Sequence, residues 1–207
     1  MKQYIFYRHI TESIAKKLWL FSVFFLFSFW TNAQCPTGSV DLTTQAQVDA
    51  FLTSYPNCTI IAGSLYIQGE DITDLSPLNN ITKVGGVLNI SNNNSLASLN
   101  GLSALTTVGK YLGMFGWEGG LRIDNNPVLT DVAALSNLQS LTNGSTGSVG
   151  IRITNNPLLS VCNVPFFCTY LANTNTNLYP RNISGNAPGC QNVSAINISC
   201  LPPCPTG

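Results

Sequence analysis

Residues Gly120–Leu129 read G-L-R-I-D-N-N-P-V-L, and they recur little changed as G-I-R-I-T-N-N-P-L-L at Gly150–Leu159. Looser versions of the phrase occupy Gly86–Leu96 and Gly63–Ile72. Within each version apolar residues alternate with polar ones, which is typical of a short strand with one buried face. A phrase repeated four times predicts a repeat architecture, because one unit alone cannot bury its apolar edge whereas packed units can.

In three of the four phrases an Asn-Asn pair ends the strand, and asparagine tolerates left-handed backbone and bonds to its own main chain at turns. The template L-x-[LI]-x-x-N-x-x-L places Asn93, Asn126 and Asn156 at one equivalent position. Two interpretations stay open, a buried ladder that bonds to the backbone of the next unit or a set of polar turn residues. The spacing to both flanking apolar positions is kept, which favours a ladder contributing about 1 kcal/mol for each net hydrogen bond.

Each strand phrase is followed by an apolar series with a spacing near three. One such series is Leu96, Leu99, Leu102, Leu105 and Val108. This spacing predicts irregular or 3₁₀ segments rather than full α-helices. Two insertions, Lys110–Gly119 and Asn143–Ser148, lengthen the later units.

The first 33 residues have the pattern of a secretory signal. Two lysines precede the apolar run Leu18–Trp30, and small residues lead to Ala33, after which we expect cleavage. The run is short for a membrane span, although an uncleaved anchor is the alternative. The signal prediction indicates a secreted or cell-surface protein without a membrane span after cleavage.

Composition after Ala33 narrows the function classes. The remaining chain has five basic and eight acidic residues, a net charge of −3, and it contains no histidine. The sequence therefore offers no basic stripe for nucleic acid, no Ser-His-Asp or Cys-His chemistry and no His-ligated metal, and we expect no cofactor. Carboxylate groups remain, namely Glu70 with Asp71 and Asp74, or Asp124 with Glu118.

A helix flanked by cysteines is predicted at the start of the mature chain. Thr44–Tyr55 has Thr43 or Thr44 as N-cap, and Pro56 ends it. One face would carry Val48, Phe51, Leu52 and Tyr55. A disulfide between Cys35 and Cys58 would close this segment into an N-terminal cap.

Four further cysteines follow the last clear phrase. They are Cys162, Cys168, Cys190 and Cys200. Four cysteines allow three pairings, of which we favour Cys162–Cys168 with Cys190–Cys200. A zinc site is the alternative, but export, the missing histidines and the lack of a C-x-x-C pair argue against it.

The last four residues repeat an earlier stretch. Cys204-Pro205-Thr206-Gly207 matches Cys35-Pro36-Thr37-Gly38 letter for letter. This match predicts one domain over residues 34–201, followed at 202–207 by a linker and the start of a second copy. The alternative is a chain end with a free or intermolecular Cys204.

These features together resemble the receptor L-domain family. The resemblance covers Cys35–Cys200 and rests on the cysteine pair around a short helix, the G-x-L-x-I and N-N-P phrases and the L-x-x-L-x-x-L-x-x-V series. It implies a mainly β fold, a right-handed β-helix or leucine-rich-repeat-like solenoid with a short N-terminal capping helix and disulfide-braced ends. The family contributes to ligand binding in animal growth-factor and insulin receptors, and this chain looks most like its secreted bacterial surface-protein members.

The candidate binding residues are the outward positions of the predicted strands and one aromatic insertion. From the strands we select Tyr66, Arg122, Asp124 and Arg152, for which the alternative is a merely solvated face. From the insertion we select Tyr111, Phe115 and Trp117, which would be interface anchors or sugar-stacking platforms unless the loop folds back onto the domain.

The sequence thus predicts a non-catalytic binding or adhesion module that recognises an extracellular protein or glycan, with further domains C-terminal to it. The alternative is a structural spacer unit in a surface repeat array. A β-helical glycan-cleaving enzyme that uses the carboxylates is the less favoured third interpretation.

Overall fold

The repeated phrases form short strands, most of them parallel. The computed structural model describes residues 34–113, 116–141, 150–176 and 181–201, with the backbone alone for 110–113 and 116–119. In these residues the strands are, in chain order, β1 (Val40–Leu42), β2 (Ile60–Ile61), β3 (Leu65–Ile67), β4 (Lys83–Val84), β5 (Leu88–Ser91), β6 (Thr107–Val108), β7 (Lys110–Gly113), β8 (Gly116–Gly119), β9 (Leu121–Asp124), β10 (Ser140–Leu141), β11 (Ile151–Thr154) and β12 (Arg181–Ser184).

Helices occupy the connections and both ends of the described chain. The α-helices are α1 (Gln45–Ser54), α2 (Pro165–Ala172) and α3 (Val193–Ser199). Short 3₁₀ helices cover Ser76–Leu78, Asn100–Leu102 and Ala133–Asn137, in the segments where apolar residues recur about every third position. The predicted signal over residues 1–33, the insertion Asn143–Ser148 and the predicted second copy from Cys204 lie outside the described residues.

Two parallel sheets enclose one continuous apolar core. The six-stranded sheet A has the order β1-β3-β5-β9-β11-β12, and the four-stranded sheet B has the order β10-β6-β4-β2. Strand β7 pairs antiparallel with β8 in a separate hairpin. In sheet A, Leu88, Leu121 and Ile151 form one buried row, so each contributes roughly 1.5–3 kcal/mol to folding.

The predicted fold class, a mainly β right-handed β-helix or leucine-rich-repeat-like solenoid, is wrong, although the short N-terminal helix and the disulfide-braced ends predicted with it are present. Two separate parallel sheets are joined by α and 3₁₀ helices, which makes the fold α/β-like. The repeated phrase correctly marked the strands and their parallel neighbours, but parallel strands with inward apolar residues are common to several architectures. The class of fold therefore depends on the segments that connect the strands. Apolar residues recur about every third position in these segments, and this spacing does not indicate one class of fold.

The predicted asparagine ladder is confirmed, and it has a fourth member. Asn93, Asn126 and Asn156 are fully buried, and each side-chain amide donates to a strand carbonyl on sheet A. Each Oδ1 in turn accepts from the backbone of the preceding turn at 2.9–3.2 Å. Asn186 continues the series by accepting from the Asn156 backbone N–H and donating to the carbonyl of Ile153.

The residue before each ladder asparagine takes a left-handed backbone. Asn92, Asn125 and Asn155 have φ angles of 56°, 55° and 57°, and Gly185 has φ 70° at the corresponding place before Asn186. Asparagine tolerates this conformation because its short polar side chain bonds locally. The Asn-Asn pair therefore turns the chain out of each strand and aims the second amide into the core.

Helix α1 confirms the predicted N-terminal helix. Thr44 is the N-cap, and its Oγ1 accepts a hydrogen bond from the Gln47 N–H. Val48 and Phe51 are buried, whereas Leu52 is 38% exposed, so the apolar face is narrower than its sequence suggested.

Three disulfides brace the two ends of the described chain. Cys35 bonds Cys58 as predicted. The favoured C-terminal pairing is wrong, because Cys162 bonds Cys190 and Cys168 bonds Cys200. The second of these links joins α2 to the end of α3, while the first joins the segment before α2 to the turn after β12.

Asp74 lies two residues before the first 3₁₀ helix and provides a pH test of the fold. The Ser76 hydroxyl and then the Ser76 N–H donate to its carboxylate, which holds the pKa of Asp74 below its ordinary 3.8 despite slight burial. A lowered pKa in the folded state means that this stabilisation is complete above pH 3.8 and fades as the pH falls towards the folded value. We expect Ser76→Ala to lower the free energy of unfolding at neutral pH, and the deficit to shrink as the pH falls below 3.8. Denaturant titrations across this range measure the deficit, and one that stays constant with pH would contradict the assignment.

Candidate functional site

One row of outward side chains crosses the whole of sheet A. The in-register residues at its second strand position are Asp41, Tyr66, Asn89, Arg122, Arg152 and Asn182. They are half-buried or exposed, in contrast to the buried rows on either side. We call this row, together with Ser91, Asp124 and Thr154 of the fourth strand position, the sheet face. It places Tyr66, Arg122, Asp124 and Arg152, all predicted from the sequence, on one surface.

Asp124 is fully engaged within the sheet face. Its Oδ1 accepts a hydrogen bond of 2.7 Å from the Thr154 hydroxyl on the next strand. Its Oδ2 lies 2.9 Å from Nε of Arg152, in an ion pair that lacks the alignment of a hydrogen bond. The carboxylate is largely buried, while the Arg152 side chain is 42% exposed. The ion pair therefore restrains Arg152 and leaves part of its side chain accessible to solvent.

Arg122 lies next to Arg152 but has no acidic partner among the described residues. The two arginines are register neighbours on β9 and β11. The Nε atom of Arg122 is buried without a hydrogen-bond partner, and so is Oδ1 of its other register neighbour, Asn89. Buried polar atoms without partners are uncommon in folded proteins and are costly to leave so. The centre of the sheet face is therefore positively charged, and some of its buried polar atoms have no hydrogen-bond partner.

The aromatic insertion forms the β7–β8 hairpin directly before β9. Tyr111 lies in β7 opposite Glu118, and Trp117 lies in β8 opposite Leu112, whereas Phe115 falls outside the described residues. The sequence predicts a loop for this insertion, since its glycines and aromatics match no strand template. Its position one residue before β9 joins it to the strand that carries Arg122.

Asp71 and Asp74, two of the other candidate acids, have structural partners. Asp71 Oδ2 accepts from the backbone N–H of Gln45 at the start of α1, and Asp74 Oδ1 accepts from the N–H of Ser76, the first residue of a 3₁₀ helix. With Asp124 held by Arg152 and Thr154, these contacts give structural partners to three of the four candidate acids whose side chains are described, while Glu70 is exposed. No three potential metal ligands cluster in the described part of the chain.

Five residues of the sheet face were not among the candidates selected from the sequence, namely Asp41, Asn89, Ser91, Thr154 and Asn182. Nothing in their residue types distinguished them from ordinary surface residues. The signal that could have identified Ser91 is comparison between strands, since β5 has Ser91 where β9 has Asp124.

A family model for the receptor L domain matches residues 57–168 of this chain. No curated protein and no solved structure shows significant similarity to it. No helix in the described ranges is long and apolar enough to cross a membrane.

Proposed function

This chain belongs to the receptor L domain family, a family of ligand-binding modules, and on that premise we propose that it binds an extracellular protein or glycan without catalysis, through the sheet face. The proposal includes secretion directed by residues 1–33 and a binding domain over 34–201. The proposal also assigns the chain to the secreted bacterial surface-protein members of the family. Three disulfides are consistent with an extracellular location, because thiols are kept reduced in the cytosol.

The observation that carries the proposal is the unpaired state of Arg122 within the described sheet face. Arg122 lies between Asn89 and Arg152 in the register of the sheet, and a buried Nε without a partner is the kind of group that a bound ligand satisfies. Tyr66 lies two strands away in the same row and adds an aromatic side chain, a residue type enriched at binding hot spots. An in-register row on a sheet holds these groups on a rigid support.

Loss of Arg122 tests the binding role directly. We expect Arg122→Ala to weaken binding at least about tenfold, since removing one partner of a desolvated charge pair costs roughly 2 kcal/mol or more. The full chain would be applied to arrays of purified extracellular proteins and glycans, and the hits measured by surface plasmon resonance. Circular dichroism and thermal unfolding would establish that the variant folds.

Lys83→Ala is the matched control. Lys83 is exposed on β4 of sheet B, so its removal changes the net charge by the same amount on a different sheet. Binding that falls equally with both variants would indicate a general charge effect and contradict a site on the sheet face. If the arrays gave no hit and cell adhesion depended only on the number of domains, the results would favour the alternative of a structural spacer unit.

A further inference from the structure

The two stacked arginines differ in the residue that lies one strand back and two positions further along. Arg152 on β11 is ion-paired with Asp124, which lies one strand back and two positions further along. The same step from Arg122 on β9 leads to Ser91 on β5. Ser91 is buried, as Asp124 is, but it is neutral. The sheet therefore provides a counter-ion position for each arginine and fills only one of them with an acid.

This difference defines the chemistry that Arg122 can accept. A half-buried guanidinium without an anion retains its desolvation cost, because neither water nor protein fully replaces its hydrogen bonds. A carboxylate is its best complement, since the planar fork of arginine matches both carboxylate oxygens. A ligand that supplies this carboxylate would complete the arrangement already present at Arg152 and Asp124.

We propose, on the basis of the sheet-face function above, that the ligand is a protein segment that places one Asp or Glu carboxylate on Arg122. Its neighbouring side chain packs on Tyr66, since strands lie about 4.8 Å apart and Tyr66 is two strands from Arg122. A polyanionic glycan fits less well, because the chain after residue 33 has net charge −3 and Arg152 is already paired. Such polymers bind through several cations in series.

Ser91→Asp tests the inference by supplying the missing acid from within the protein. A random peptide library displayed on phage would be selected against the full chain, and the enriched peptides then measured against each variant. We expect peptides with one conserved acidic position, and at least tenfold weaker binding to Ser91→Asp. Replacing the acidic peptide residue by Gln should cause a similar loss.

Ser184→Asp is the charge-matched control. Ser184 occupies the same strand position on the edge strand β12, where it is exposed and no further strand follows in the described sheet. This variant should bind the peptides like the natural chain. Arg122→Gln provides a second route to the same loss if Ser91→Asp does not fold, as judged by circular dichroism.

The outcomes separate this inference from the proposed function. The selected peptides could lack acidic residues and still bind more weakly to Tyr66→Ala. That result would overturn the carboxylate inference, but it would support the sheet face as the binding site. Peptides insensitive to every sheet-face variant would contradict both proposals. The chain could instead bind to a heparin column in a way that Arg122→Gln abolishes, while the phage selection yields no acidic peptides. That result would identify the ligand as an anionic glycan and overturn the inference.

Discussion

Asn126→Ala is expected to lower the free energy of unfolding by about 4 kcal/mol, because it removes one of the two inner members of the asparagine ladder. The Asn126 side chain donates to the carbonyls of Ile90 and Asp124 and to Oδ1 of Asn156, and it accepts from the backbone and side chain of Asn93. Alanine would leave the buried N–H of Asn93 without this acceptor, at a cost of roughly 1–3 kcal/mol, and would open a cavity beside it. Urea denaturation followed by circular dichroism measures the change.

Asn94→Ala is the control for this prediction. Asn94 follows the ladder residue Asn93 but is exposed, so its replacement should change the free energy of unfolding by less than about 0.5 kcal/mol. If Asn126→Ala cost no more than Asn94→Ala, the buried hydrogen bonds would contribute nothing net to stability.

The ladder also shows what the sequence could predict about the fold. Alternating apolar residues and the Asn-Asn turn are local features, and each one restricts the backbone within a few residues. They therefore predicted the strands, the left-handed turns and the buried asparagines. Strand β12 and the turn after it carry only a degenerate version of the phrase, at Asn182–Asn186, so the template did not identify the fourth ladder residue.

Features that depend on packing between distant segments could not be predicted in the same way. The connections between phrases carried no periodicity strong enough to separate an α/β-like arrangement from other repeat folds. The disulfide pairing shows this for single residues: Cys168 lies within α2 and Cys200 is the C-cap of α3, and those helices pack together. Cys190 lies beside the last ladder turn, where its carbonyl accepts from Asn186 and its sulfur bonds Cys162.

The same distinction between local features and packing of distant segments applies to the sheet face. Period-two alternation predicted which side chains point outward, because successive strand residues face opposite sides of a sheet. It could not distinguish Arg122 from Arg152, whose sequence contexts are nearly identical. Their difference arises from a diagonal contact between strands, where Asp124 serves one arginine and Ser91 stands in the equivalent place for the other.

Gly101→Ala is expected to destabilise the fold by about 3 kcal/mol, at the upper end of the usual cost of overpacking. Gly101 is buried in the 3₁₀ helix Asn100–Leu102, against the segment that leads into the preceding 3₁₀ helix. An added Cβ would overlap the carbonyl group of Leu75 and approach the backbone nitrogen of Ser76. Backbone atoms cannot rotate aside as a flexible side chain does, so the two segments would have to separate.

That separation explains why a single methyl group should have so large an effect. Leu78 and Leu102 are fully buried next to this contact, and moving one 3₁₀ helix away from the other would expose part of both. Gly38→Ala is the matched control, because a Cβ at Gly38 would meet no atom within 4 Å. Thermal unfolding of the two variants compares the same chemical change in a closed and an open environment. A melting temperature lowered equally in both would show that loss of glycine, rather than the close approach to Leu75, is the cause.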